Sequence, residues 1–340
     1  MGTPVPANRF YVFADELREW RLDAPPPVSW PDCRYFAAVL RAVDAGLADG
    51  GLNFILTKRV EGSLPLIGED VVVVCIGDEL CRMPAYAHDV RLVAKTYGVQ
   101  RTPNVLKGTW ESLPGLGATL AQEAIVQLRR APSHVASRLQ TLRRGRRPLI
   151  VDVPLGTYLL ADVPFVPFDD RKFDVSYAGS RFNRQKEGRR RVPTQKARSR
   201  RDLEATLLRL PELRPDLRVA VHVIEEFRDA PTHSSFYSDL LMNSRIALCP
   251  RGGSLETYRF FEALQCGCVP VTERLPRRDY YTGAPGWRLD RWADLPDALD
   301  RLTSDGAALR AMHEAALRWW MDGCSPVAVG QRLIGHLERS

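Results

Sequence analysis

The residues best equipped for chemistry lie in one stretch, Cys249–Thr272, which reads CPRGGSLETYRFFEALQCGCVPVT. A short apolar run, Ile246–Leu248, reaches Cys249-Pro250 and is followed by the turn Arg251-Gly252-Gly253. The spacing predicts a helix over Glu256–Leu264, a stop at Gly267 and a new strand from Val269. Backbone N–H groups in a glycine-rich turn, with a helix dipole behind them, suit an anion such as a diphosphate. Arg259 and Glu262 are three residues apart and share one helix face. The glutamate can accept hydrogen bonds from two vicinal hydroxyls, as on a ribose. The arginine can hold that carboxylate or a phosphate. Ser254 and Thr257 add hydroxyls beside the turn. A lone Gly-Gly or Arg-x-x-Glu would be an ordinary turn with a surface ion pair; the signal is all the parts in order at fixed spacing.

A second chemical feature is the basic stretch Ser180–Arg201, with ten lysines and arginines against the single acid Glu187. It follows Gly179-Ser180, the turn that closes "FDVSYAGS". Arginines near a leaving diphosphate stabilise its charge without a divalent ion. Arg181 and Arg184, nearest the turn, are the candidates for that role. The sequence has no D-x-D pair to hold a metal. Cys249, Cys266 and Cys268 lack zinc-ligand spacing, so no metal is expected and these thiols are expected to be small core residues.

A general base is also needed if a hydroxyl is to attack. "VVVVCIGDEL" ends a buried strand with Asp78 and Glu79 at its tip, and these are the candidate catalytic carboxylates. Asp15 and Glu16, after the first strand, come next. His88 is expected on a helix face and His222 in the core, and His233 in a loop near the donor side.

The elements that must position these groups follow a βαβ rhythm. "RFYVFA", "NFILTK" and "VVVVCIG" read as strands buried on both faces. Tyr35, Phe36, Val39, Leu40, Val43 and Leu47 recur at helical spacing. Ala85–Gly98 reads as a helix with a glycine cap. Leu120, Ile125, Leu128, Val135 and Leu139 mark a longer helical region. "PLIVDVPLG" closes the first half as a strand, and the proline-bearing "ADVPFVPFDD" forms a linker. The second half repeats the rhythm and ends in helices, where Trp319 and Trp320 are expected to pack. The expectation is an α/β protein with two Rossmann-like doubly wound domains: 1–160 for the acceptor, a linker over 161–170, 171–315 for the donor, and a helix over 316–340 packing back on the first domain.

The chain has 340 residues, 45% hydrophobic and 26% charged, with net charge +7. This is the balance of a folded globular protein that attracts phosphate-bearing partners. The seven cysteines, an odd number in a chain this long, fit a reducing cytoplasm better than a disulfide framework. No apolar window approaches the length of a membrane helix, so no membrane span is expected.

Read together, these residues resemble the exostosin-type glycosyltransferases. The family signature, roughly C-x-x-P-x-G then S/T-x-R-x-x-E-A-x-x-x-G-C-V/I-P-V, is met by Cys249 with a slight shift, Pro250, Gly252, Thr257, Arg259, Glu262, Ala263 and Gly267 to Val271. "FDVSYAGSR" resembles the strand that opens the family's donor domain. The resemblance covers about residues 150–275. It implies the GT-B architecture, with two domains facing across a cleft. It also implies inverting transfer of a sugar from a nucleotide donor to an acceptor hydroxyl; the donor is expected to be a UDP- or GDP-sugar, the acceptor a small molecule, glycan or peptide, and the arginines above are expected to make a metal unnecessary. By the same carry-over, Glu262 binds the ribose, and Arg251, Gly252, Gly253 and Arg259 lie near the nucleotide; Gly179, Ser180, Ser254 and Thr257 complete the candidate donor-binding set. Animal members are membrane-anchored and build heparan sulfate, whereas a smaller acceptor is expected here. The alternative is a non-catalytic nucleic-acid binder using the loop 181–201. That loop interleaves only Phe182 as an aromatic, and no known nucleic-acid module accompanies it, so nucleic acid is not the expected partner.

Overall fold

The structure is a computed structural model and describes residues 7–48, 50–103, 113–157, 162–180, 194–224 and 234–339. The chain divides into two compact units. The first combines Met1–Arg101, Ala124–Gly156 and Gly323–Ser340, and the second combines Thr102–Glu123 and Thr157–Asp322. The fold class is α/β, and each unit is Rossmann-like, built on its own largely parallel sheet.

The first unit holds β1 (Arg9–Phe13), β2 (Leu17–Glu19), α1 (Cys33–Gly46), β3 (Asn53–Thr57), β4 (Gly68–Cys75) and β5 (Val90–Lys95). It continues with most of α2 (Leu113–Arg144) and with β6 (Ile150–Asp152). The sheet order is β2-β1-β3-β4-β5-β6, parallel throughout except for the edge hairpin β1–β2. The apolar runs are continuous because both faces of the sheet are covered. Phe13, Ile55, Val71, Val73 and Val93 face one core, with Val60, Leu64, Tyr86 and Ala87 from the loops packed on them. Their neighbours along the strands, Val12, Phe54, Leu56, Val72, Val74 and Leu92, point the other way and are also buried.

The last helix of the chain, Pro326–Leu337, belongs to this unit and packs on α1. Gly330 permits the contact: a Cβ there would stand 2.8 Å from that of Ala42 and 3.3 Å from the Val39 carbonyl oxygen. Tyr35 of α1 donates to the Cys324 carbonyl at 2.6 Å, which anchors the segment leading into that helix.

The segment Ala85–Gly98, expected as a helix, is instead a turn followed by β5. Its spacing of Tyr86, Val90, Val93 and Tyr97 imitates a helical face. However, the Pro84 carbonyl accepts the Ala87 N–H and the Tyr86 carbonyl the Asp89 N–H, forming successive turns, and Val90–Lys95 then fills the slot between β4 and β6. The β-branched pair and full burial favour the sheet.

The second unit holds β7 (Phe173–Ser180), α3 (Gln195–Leu213), β8 (Val219–Ile224), α4 (Ser234–Met242), β9 (Ser244–Cys249) and α5 (Tyr258–Gln265). These are followed by β10 (Val269–Glu273), β11 (Trp287–Leu289), α6 (Leu295–Thr303) and α7 (Gly306–Trp319), and the C-terminal helix above is α8. The sheet is fully parallel in the order β11-β10-β9-β7-β8. Chain order reverses around β7, which makes the carboxyl ends of β7 and β9 a topological switch point, the usual ligand crevice of an open α/β sheet. Val175, Tyr177, Leu203, Ile246, Leu248 and Val269 form the centre of its core. Arg171 is buried at the entry to the unit. It donates to the carbonyls of Ser244 and Cys266 at 2.6 Å each, clamping the incoming chain to β9 and to the end of α5.

All seven cysteines are free and buried. Burial pushes the Cys268 thiol up to about 11 and the Cys249 and Cys266 thiols well above the ordinary value. They stay protonated, and Cys249 and Cys268 donate to carbonyls, Cys268 to Leu241 at 3.0 Å.

His88, His134, His313 and His336 are all held below the ordinary histidine range, with burial as the leading cause. The unfolded chain therefore binds protons before the folded one does. Stability is expected to be full above the unfolded value, about 6.5, and to drop as pH falls through it. Urea midpoints at neutral and mildly acidic pH test this, and an unchanged or higher midpoint in acid contradicts it.

Candidate functional site

At the switch point the structure joins three elements. The β9–α5 connection runs through Pro250-Arg251-Gly252-Gly253 and turns at Ser254, whose hydroxyl accepts the Glu256 N–H at 3.1 Å. Helix α5 starts two residues later than its periodicity suggests, with Thr257 at the N-cap in extended conformation. Phe260 and Phe261 are both buried, and Gly267 ends the helix at φ +72°.

Arg259 reaches across to β7 and donates from Nε to the Ala178 carbonyl at 2.6 Å. Glu262, one turn on, is buried and accepts the Tyr237 hydroxyl of α4 at 2.6 Å. The arginine is thus tied to the end of β7, and the glutamate to α4. Gly179 is required there, because a Cβ would lie 2.5 Å from the Tyr177 hydroxyl and 3.1 Å from Arg259 Nη2. Ser180 closes β7. Arg181, Arg184 and His233 lie outside the described residues.

Arg251 turns inward. Its backbone N–H donates to Glu273 at 3.1 Å, and the same carboxylate oxygen accepts the Ser199 hydroxyl at 2.6 Å. Trp292 donates to Ser199 in turn. The Arg251 side chain lines a polar cavity of about 20 Å³ with Gln195, Arg198, Glu273 and Asp290, which is room for about one water. Gly252 is half-buried and Gly253 is exposed on the turn. Glu256, expected in the helix, instead lies buried before it, in an ion pair with Arg278 and within 3.5 Å of the Tyr280 hydroxyl.

In the first unit, Asp78 and Glu79 follow β4 and the turn at Gly77, φ +81°. They differ sharply. Asp78 is buried and accepts from Lys95 Nζ at 2.9 Å, the Arg82 backbone at 2.7 Å and Arg82 Nε at 3.1 Å. Burial pushes its carboxyl up, but Lys95 and Arg82 outweigh that and hold it below the usual range. A carboxylate held this way takes a proton poorly. Glu79 is exposed. Asp15 and Glu16 are exposed after β1, with Glu16 paired to Arg18. His88 is buried against Ser137 in the turn before β5 rather than on a helix. His222 lies in β8, half-buried rather than in the core, with its ring tilted 47° against Phe236. Trp319 donates to the Tyr280 carbonyl at 3.1 Å and Trp320 is buried, so both are packing residues.

Sequence reasoning missed Tyr237, Glu273 and Lys95. Lys95, a lysine inside an apolar strand, carried the only readable signal: a buried ammonium needs a carboxylate.

Residues 194–322 match the family model of the RXYLT1 C-terminal domain. Over 35 residues the chain is 57% identical to Exostosin-1 of Drosophila melanogaster, a match spanning 10% of this chain and 5% of that protein. In its second unit the chain is exostosin-like. Among solved structures it is similar to WaaG, a glycosyltransferase involved in lipopolysaccharide biosynthesis (13% identity, 91% of this chain and 96% of that one, TM-score 0.43). It is also similar to AviGT4, a glycosyltransferase involved in avilamycin A biosynthesis (14%, 98% and 98%, 0.43). A further similarity is to the GtfA/B complex (11%, 96% and 63%, 0.42).

Proposed function

We propose that this chain, exostosin-like in its second unit, is a glycosyltransferase of GT-B type that moves a sugar from a nucleoside diphosphate donor to an acceptor hydroxyl. The observation that carries the reading is that one helix at the switch point of that unit carries both Arg259, bonded to the end of β7 beside Gly179, and the buried Glu262. The glycine turn and Arg259 would take the diphosphate, and Glu262 the ribose hydroxyls.

In the inverting reaction the acceptor oxygen attacks the anomeric carbon as the bond to the diphosphate oxygen breaks. The diphosphate leaves with the electron pair, and arginines and backbone N–H groups receive its charge. Arg181 and Arg184 are assigned to that task in place of a metal. The acceptor proton goes to a carboxylate of the first unit. Asp78 is engaged by Lys95 and Arg82, so the role falls to Glu79.

A thermal-shift series with UDP, GDP, TDP and ADP tests the donor site. One of the four, at about 100 times its dissociation constant, should stabilise by about 2.7 kcal/mol and raise the midpoint by roughly 5–10 °C. Four flat responses beside tight, salt-sensitive RNA binding would favour the nucleic-acid reading. With the matching sugar nucleotide, mass spectrometry should show one sugar added to an acceptor.

A further inference from the structure

Helix α2 is built inside out. Its polar residues face the first unit: Ser133 accepts the Met83 N–H, His134 meets the Cys81 carbonyl, and His88 meets Ser137. Arg130 and Arg144 donate to the carbonyls of Val99 and His88. The apolar residues that predicted the helix point outward instead. Ile125, Leu128, Val135, Leu139 and Leu142 are all at least half exposed, Leu128 at 73% and Leu142 at 79%. They recur at alternating steps of three and four, with the exposed Pro132 completing the pattern, so they form one stripe along the helix.

A stripe of this kind on a monomer marks a docking surface. The charges beside it indicate what docks. Residues 124–144 contain no aspartate or glutamate, and the exposed charges flanking the stripe are Arg129, Arg138 and Arg143. They make no ion pair among the described residues. A second copy of the helix would set arginine against arginine along the seam, which disfavours self-association. An anionic bilayer surface offers an apolar boundary for the leucines and negative headgroups for the arginines, whose long stems let the charge reach outward. No helix of the described residues is long and apolar enough to cross a membrane.

We propose that the exposed face of α2 docks this protein on an anionic lipid surface, lying in the interface without spanning it. Neither a nucleotide nor the proposed transfer reaction is needed for this.

Flotation of the full chain with phosphatidylcholine vesicles, with and without phosphatidylglycerol, tests the proposal. Binding to the anionic vesicles should exceed binding to the neutral ones at least about tenfold and weaken with salt. Leu128→Glu with Leu142→Glu should remove at least about tenfold of the affinity. Both side chains are exposed, so the urea midpoint should hold, and it serves as the check on folding. Arg129→Glu with Arg138→Glu should abolish the anionic preference. Equal binding to both vesicle types, no binding to either, or a Leu128→Glu, Leu142→Glu variant that floats like the parent would overturn the proposal. So would a concentration-dependent dimer that the same pair of substitutions dissolves, which would assign the stripe to a second copy.

Discussion

Glu262→Gln is expected to weaken nucleoside diphosphate binding by roughly 100-fold while leaving the second unit folded. Its carboxylate is buried at the switch point and accepts the Tyr237 hydroxyl at 2.6 Å. A carboxylate has about four lone-pair sites and can serve several donors at once. Hydrogen bonds to a charged acceptor contribute about 1.5–3 kcal/mol each. Losing the charge across two ribose hydroxyls removes about 3 kcal/mol, which corresponds to that factor. Glutamine keeps an oxygen for Tyr237, so the change in stability should stay near 1 kcal/mol. Alanine would instead strand the phenol in a buried site and destabilise by about 1–3 kcal/mol, which makes glutamine the cleaner probe. Tyr237→Phe separates positioning from contact. It removes the donor that orients the carboxylate but leaves the charge, so binding should fall only a few-fold. Calorimetric titration reads both variants. An affinity for Glu262→Gln within about threefold of the parent would remove the ribose assignment.

The part of the site that could be read in the sequence is the part that is contiguous. The turn, Arg259, Glu262 and the Gly267 stop lie within one strand–turn–helix unit, and local rules order them. The partners that fix their orientation are remote. Tyr237 is 25 residues from Glu262, and the Ala178 carbonyl is 81 residues from Arg259. No local pattern announces such pairs. The strands were legible because burial on both faces leaves uninterrupted β-branched runs. β5 was not, because Val90 and Val93, with Tyr86 before the strand and Tyr97 after it, fall at helical intervals and only the slot between β4 and β6 decides the matter. In α2 the period was correct and its meaning inverted. An apolar stripe shows where a helix has a face, not which face the protein keeps, and here serines, histidines and arginines make the inner contacts. Glu256 shows the same limit at the scale of one residue. Its place before an apolar run suits a first helical turn, yet Arg278, 22 residues on, draws it into a buried pair.

Lys95→Met is expected to destabilise the first unit by about 3–5 kcal/mol. The lysine is fully buried in β5, and its ammonium lies 2.9 Å from Asp78. Removing it leaves a buried carboxylate with Arg82 as its remaining cation, and an uncompensated buried charge is the expensive outcome. Adding Asp78→Asn to the methionine variant should recover part of the loss, since the amide oxygen still accepts the Arg82 backbone N–H without a charge to solvate. The pH dependence supplies the sign. In the parent, the Asp78 carboxyl is held below its ordinary value. Its contribution is therefore present above the unfolded value, about 3.9, and lost as pH falls through the folded one. Without Lys95, burial dominates and the carboxyl rises, so protonation relieves the variant. The gap between variant and parent in urea midpoint should shrink as pH falls from 7 towards 4. A loss below about 1 kcal/mol, or a gap that ignores pH, would mean that the pair is not charged in the folded protein. The consequence reaches the proposed reaction as well. Asp78 grips both β5 and the Arg82 backbone, so it fixes the loop that presents Glu79. In the methionine variant the transfer rate should fall while nucleotide affinity, assigned by the proposed site to the second unit, holds.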